Sequence, residues 1–179
     1  MFTWTRVASK LACSAIALAL AATSAVPANT AAPLGAVQVA YDRPEAFTDF
    51  GDNGYVTTDE RRDALLAQLK RHIEERAAPR IPPGSTLTVT ISDIDMAGGF
   101  EWWHGPRADH VRIVKDIYPP RIKLAFSLMD ASGKPLAGGR RELTDLTFLT
   151  SVEYRGDLLR YEKKLLDDWL AKEFAEQQP

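Results

Sequence analysis

Two aspartates, Asp93 and Asp95, stand two positions apart at the end of an alternating stretch near the middle of the chain. On a β-strand, residues two apart face the same side, so both carboxylates would point in one direction. Such a pair could hold a divalent cation or take part in acid–base chemistry. The alternative is structural: the two aspartates end the strand by capping backbone N–H groups or by pairing with Arg107 or Arg112.

Two histidines supply a second set of side chains that could bind a metal. His104 and His110 lie in one loop with Glu101 and Asp109. Their spacing matches no zinc signature, so they remain low-ranking candidates beside the simpler interpretation as exposed loop residues. The only cysteine, Cys13, falls in a segment that we expect to be removed, so no cysteine-ligated metal is expected.

The same loop carries a pair of large aromatic side chains, Trp102 and Trp103, next to His104 and after Gly98 and Gly99. Neighbouring residues on an extended chain face opposite sides, so one ring could pack inward and the other outward. An exposed tryptophan would be a good anchor for a partner protein or an apolar ligand. The alternative is that both rings close over the end of the core.

Motifs of known enzymes are missing from the sequence. It contains no G-x-S-x-G elbow and no H-E-x-x-H pair, and Gly133-Lys134 lacks the earlier glycine of a phosphate-binding loop. The sequence therefore predicts no catalytic residue and no cofactor, and it favours a role other than catalysis.

The N-terminal residues have the layout of a secretory signal peptide. Arg6 and Lys10 precede an apolar run from 11 to 22, and small residues follow. We predict a signal over residues 1–25, with cleavage possible as late as 32, and a flexible leader over 26–36. This layout predicts export to the periplasm and no membrane span in the mature chain.

The remainder, residues 37–177, has the composition of one globular domain, with 45% hydrophobic and 26% charged residues in the whole chain. A net charge of −2 argues against a nucleic-acid partner, because nucleic-acid binding needs a basic surface. The sequence does not identify the partner; an envelope protein and a small ligand are the two candidates.

Periodicity predicts the elements that must position these residues. Alternation predicts strands at Val37–Tyr41, Leu87–Met96 and Val111–Ile117, and a hairpin of 121–129 with 136–148. Apolar stripes predict two helices, one capped by Thr57 with Glu60 and one over 158–175. The order β-α-β-β-β-α predicts an α+β domain, a two-layer sandwich with a mixed sheet and both amphipathic helices on one face.

Two positions break the expected pattern. After Ile91 the alternation slips, so that either a bulge follows or the strand ends at an open face. Glu162 falls in the middle of the apolar stripe of the last helix, where a carboxylate needs a partner or must become neutral. We expect Arg112 or Arg121 to be that partner.

Several short stretches together resemble a known family of exported bacterial proteins. They are P-E-x-F-T-D at Pro44–Asp49, D-I-D-M-A-G at Asp93–Gly98, R-I-V-K-D-I-Y-P-P-R-I at Arg112–Ile122, Y-E-K at Tyr161–Lys163, and Asp168-Trp169. In this order they resemble domain-of-unknown-function family 3016, over about Val37 to Phe174. The resemblance implies an exported, single-domain, Gram-negative envelope protein and no activity. It also draws attention to a polar cluster: Asp93, Asp95, Arg112, Asp116, Arg121 and Glu162.

Three hypotheses of function follow. The first is a non-enzymatic periplasmic protein that binds a partner through the loop of Trp102, Trp103 and His104. The second is a metal-dependent or acid–base hydrolase centred on Asp93 and Asp95 with His104 or His110. The third is a purely structural module with an internal charge network.

Overall fold

The computed structural model describes residues 35–51, 58–101, 103 and 111–175. Its strands are β1 (Ala36–Tyr41), β2 (Thr86–Asp95), β3 (Gly99–Phe100), β4 (Arg112–Ile113), β5 (Arg121–Met129) and β6 (Pro135–Thr144). Its helices are α1 (Asp59–Ala77) and α2 (Arg160–Glu173). The predicted signal and most of the leader lie outside the described residues. So do the predicted cap Thr57 and, in the predicted loop, residues 102 and 104–110.

The main sheet has four strands in the order β1-β2-β5-β6. β1 pairs with β2 in parallel, while β2–β5 and β5–β6 are antiparallel, so the sheet is mixed as predicted. The predicted hairpin is also confirmed, although its return strand ends at Thr144, and Phe148–Thr150 forms a 3-10 turn.

The predicted third strand, Val111–Ile117, is mostly wrong. Only Arg112 and Ile113 are extended, and they pair with Gly99 and Phe100 in a separate two-stranded sheet. Such short strands gain too little from pairing to continue without a neighbouring strand. We call residues 98–118, as far as they are described, the arm.

Helix α1 begins one residue later than predicted. Thr58, not Thr57, is the N-cap, and its hydroxyl accepts a hydrogen bond from the backbone N–H of Arg61 at 3.3 Å. The apolar stripe is buried as expected, since Leu69 and Ile73 are fully enclosed. Pro79 follows in a 3-10 turn that ends the helix.

Both helices pack against the same face of the sheet, as the α+β sandwich requires. Their buried residues join those of β2 and β5 in one core. Phe126 on β5 is central to it: its ring lies 5.6 Å from Trp169 and 5.9 Å from Phe174, both in edge-to-face geometry.

A bulge explains the slip in the alternation of β2. Ile91 pairs with Leu124 and Asp93 pairs with Lys123, so Ser92 is an extra residue opposite the step between them. Ile94 therefore returns to the core, where it is fully buried. Asp93 and Asp95 are left on the partly open face beyond the bulge.

Candidate functional site

Asp93 lies beyond the bulge and is bound by three donors. Its carboxylate accepts hydrogen bonds from the Thr48 backbone N–H at 2.8 Å and hydroxyl at 3.0 Å, and from Lys123 Nζ at 3.0 Å. Partial burial acts to raise the pKa of this carboxyl, but the hydrogen bonds outweigh it and hold the pKa below its usual value. Asp93 is therefore ionised and satisfied within the fold.

Asp95 points to the same side but has a different and looser partner. Its ion-pair partner is Arg121, whose Nη1 lies 3.7 Å from Oδ2. Burial and the neighbouring Asp49 carboxylate raise the pKa of Asp95 above its usual value. The two aspartates thus share a direction, as predicted, but each pairs with a separate basic residue of β5 and neither pairs with Arg112.

Arg112 is the most heavily bonded residue of the predicted polar cluster. Its guanidinium binds both carboxylate oxygens of Asp49, at 2.7 and 2.9 Å. It also donates to the carbonyl oxygens of Gly51 at 3.0 Å and Gly98 at 3.2 Å. The guanidinium carbon lies 4.6 Å from the Phe100 ring centre, so Arg112 joins the arm to the segment that follows β1.

The predicted arginine partner of Glu162 is wrong. Glu162 is fully buried, and its Oε1 accepts a hydrogen bond of 2.8 Å from the backbone N–H of Ala97. Oε2 has no hydrogen-bond partner in the structure. Burial raises the pKa of Glu162 to about 7, although the Ala97 N–H and the charge of Arg112 both act to lower it.

The arm carries the exposed end of the predicted partner-binding loop. Trp103 is 56% exposed, and Val111 and Ile117, also on the arm, are 55% and 65% exposed. The base of the arm is fixed by the buried Glu101, whose two oxygens lie 2.6 and 2.7 Å from Lys115 Nζ. Trp102, His104 and His110 lie outside the described residues.

Asp116 and Arg121 are the exposed members of the predicted cluster, and Asp116 takes part in none of these pairs. A cavity of about 80 Å³ is lined by residues of the arm base, the end of β2 and the start of β5, among them Asp95, Tyr118 and Arg121. Within the part of the chain that the structure describes, no group of three or more histidine, cysteine or carboxylate side chains could hold a metal ion.

A second polar cluster was not predicted from the sequence. Asp167 on α2 accepts hydrogen bonds from His72 Nε2 at 3.0 Å, from Arg76 Nε at 3.1 Å and from the Tyr154 hydroxyl. Burial opposes ionisation of Asp167, but these donors hold its pKa well below the usual range. Tyr154 has a φ of 55°, which is rare for an aromatic residue.

The only sequence signal for this cluster is the i, i+4 spacing of His72 and Arg76 on one side of α1. That spacing places an imidazole and a guanidinium side by side, but it does not reveal a carboxylate on another helix. The cluster joins α1, α2 and the loop before α2, so its observed role is to hold these three segments together.

Comparisons with known proteins add a family but no activity. No curated protein and no solved structure matches the chain. Among the described residues, no helix is both long enough and apolar enough to cross a bilayer. One family model matches residues 35–172, and its description reads "Protein of unknown function (DUF3016)". The chain belongs to this family.

Proposed function

We propose that this protein is exported to the periplasm and acts there by binding a partner protein through the arm, without catalysing a reaction. The observation that carries the binding proposal is the exposure of Trp103, which is 56% exposed on an arm that also presents Val111 and Ile117. Exposed tryptophans anchor protein interfaces because they bury a large area with few rotatable bonds.

The fixed base of the arm supports this proposal. Glu101 is held by Lys115, and Arg112 is held by Asp49 and by two backbone carbonyls. A surface that is already ordered loses less conformational entropy when it binds. These contacts give the polar residues of the arm a role in shaping the surface.

The hydrolase alternative is less well supported. It requires Asp93 and Asp95 to act together, but Asp93 is bonded to Thr48 and Lys123, and Asp95 lies beside Arg121. A carboxylate that is already paired is a poor metal ligand or base unless its partner is displaced.

Export is tested by expressing the full chain in a Gram-negative host and sequencing the N-terminus of the accumulated protein. We expect cleavage after Ala25, Ala28 or Ala32 and release of the product by osmotic shock. An intact N-terminus on protein that stays with the cytosol would contradict export.

Binding through the arm is tested by placing a photo-crosslinking amino acid at position 103 in living cells. Leu149, which is 48% exposed on the loop before α2, is the matched control position. We expect an adduct of one defined mass, containing this chain and one other protein, from position 103 and not from position 149. Equal labelling from both positions, or none from position 103, would overturn the proposal.

A further inference from the structure

β6 leaves a long edge of the main sheet open. It is ten residues long and pairs only with β5 in the described chain. Seven of its ten residues are exposed. An open edge strand presents unpaired N–H and C=O groups and is a template for another strand, so its charges decide what can pair with it.

The charges at the centre of β6 are self-complementary. Arg140, Arg141 and Glu142 follow one another, and Arg140 and Glu142 are exposed. If two copies pair antiparallel about Arg141, Arg140 of each copy lies directly opposite Glu142 of the second copy. Opposite charges in that position attract, and like charges would repel.

Arg141 would face its own counterpart at the centre of this register, but its charge is already balanced. Its Nε and Nη2 bind the two carboxylate oxygens of Glu173 at 2.8 and 2.7 Å. Its Nη1 donates to the Arg140 carbonyl at 2.9 Å, a contact that strand pairing must share or replace. The centre of the interface is therefore two neutral Arg–Glu pairs.

Two exposed leucines lie close to the two ends of β6. Leu136 at the start of β6 is 45% exposed, and Leu146, just past its end, is 75% exposed. Antiparallel pairing about Arg141 brings the end that carries Leu136 beside the end of the second copy that carries Leu146. Each end of the paired strands would then bring two large apolar side chains near each other.

We propose that this protein forms a symmetric dimer in which two β6 strands pair antiparallel about Arg141, so that two four-stranded sheets become one of eight strands. The occupant of the open edge is a second copy of the chain, because the charge order of Arg140 and Glu142 is complementary to the same sequence reversed. This dimer does not rest on the function proposed for the arm, since β6 shares no residue with it.

The test is sedimentation equilibrium of the purified chain over a wide concentration range, with charge-reversal variants. Arg140→Glu places glutamates opposite each other, and Glu142→Arg places arginines opposite each other. We expect either single variant to weaken dimerisation by roughly tenfold or more. The double variant R140E/E142R restores opposite charges and should dimerise like the natural chain.

Mixing the two single variants gives a sharper result. At a concentration where the natural chain is half dimeric, each variant alone should be mostly monomeric, and an equimolar mixture should form dimers, because glutamates of one variant then face arginines of the other. Circular dichroism confirms that each variant is folded. A monomeric natural chain, or a dimer that neither single reversal weakens, would overturn the proposal.

Discussion

Glu162 is a carboxyl that the fold encloses without giving it a full set of partners. One oxygen accepts the Ala97 N–H, and the other has no partner. The neutral acid is therefore favoured inside the protein, and its pKa rises to about 7 from an ordinary value of 4.5. In the unfolded chain the same carboxyl releases its proton near the ordinary value.

This difference makes stability depend on pH. Between pH 4.5 and about 7 the folded chain holds a proton that the unfolded chain has lost, so the free energy of unfolding falls as pH rises. The Glu162 contribution should fall by about 3 kcal/mol across this range and stay low above it. Glu162→Gln, which cannot ionise, should lack this slope in urea unfolding measured from pH 4.5 to 8; an unchanged slope would contradict the assignment.

Asp167 is expected to have the opposite pH dependence, because its donors lower its pKa. Its contribution to stability is present above the ordinary carboxyl pKa of 3.8 and is lost as pH falls further. Asp167→Asn should lower the free energy of unfolding at pH 7 by roughly 2–3 kcal/mol, since charged hydrogen bonds to His72, Arg76 and Tyr154 are weakened.

The neighbouring Asp168 is the matched control for this change. Its side chain is 55% exposed and bonded to Lys164 one turn earlier. Exposed pairs of this kind contribute little, so Asp168→Asn should change stability by less than about 1 kcal/mol. Equal effects of the two substitutions in urea unfolding at pH 7 would show that the buried cluster does not stabilise the packing of α1 against α2.

At the scale of single residues, the sequence predicted which polar side chains are buried more successfully than it predicted their contacts. Burial of Glu162 follows from its place in a helical stripe, and the confirmed bulge follows from the slip after Ile91. The amide partner of Glu162 could not be predicted, because Ala97 contributes a backbone group that every residue has. The cluster around Asp167 needs the packing of two helices that are far apart in sequence.

At the scale of elements, the bulge in β2 separates two properties of one strand. Before the bulge, the side chains of β2 alternate regularly between the core and the polar face. After it, Ile94 stays in the core, while Asp93 and Asp95 lie opposite Lys123 and Arg121. Ser92 is the extra residue, and its hydroxyl makes one hydrogen bond of 3.3 Å to the Lys123 carbonyl.

Deletion of Ser92 should therefore be tolerated. The remaining residues still alternate correctly, and every pair with β5 is kept, so the loss of stability should be about 1 kcal/mol. Deletion of Thr90 is the control: it places Val89 next to Ile91, turns one of them out of the core and should cost roughly 3 kcal/mol or more. Equal losses for the two deletions in urea unfolding would contradict the bulge.

Elements with strong periodicity were predictable, and those without it were not. The apolar stripes of α1 and α2 identify them as helices, and the alternation of β5 identifies it as a strand, because burial on one face repeats at a known period. The arm has no such period. Its two short strands are held by the contact of Glu101 with Lys115 inside the arm and by the contact of Arg112 with Asp49, which lies outside it.

At the scale of the whole molecule, Phe126 connects the sheet to the last helix. Phe126→Ala removes a ring that contacts Trp169 and Phe174, and it should cost about 3–5 kcal/mol. Tryptophan fluorescence and circular dichroism should still report one transition in urea, because the sheet and the helix share a single core.

Ser127→Ala, at the next position of β5, is the control and should change stability by less than about 1 kcal/mol, because Ser127 points away from the helices and is only partly buried. Two separate transitions for Phe126→Ala, with fluorescence changing before circular dichroism, would mean that α2 unfolds independently of the sheet.

The position of α2 in the chain also determines when the core can form during synthesis. It is the last of the described elements to be synthesised, yet it supplies Leu165, Leu166, Trp169 and Leu170 to the core. A nascent chain that stops before Arg160 therefore leaves the apolar face of β5 open to water and has no complete core to fold around. If the chain is exported as proposed, this order delays folding until α2 has been synthesised, which keeps the chain before it able to pass through a translocation channel.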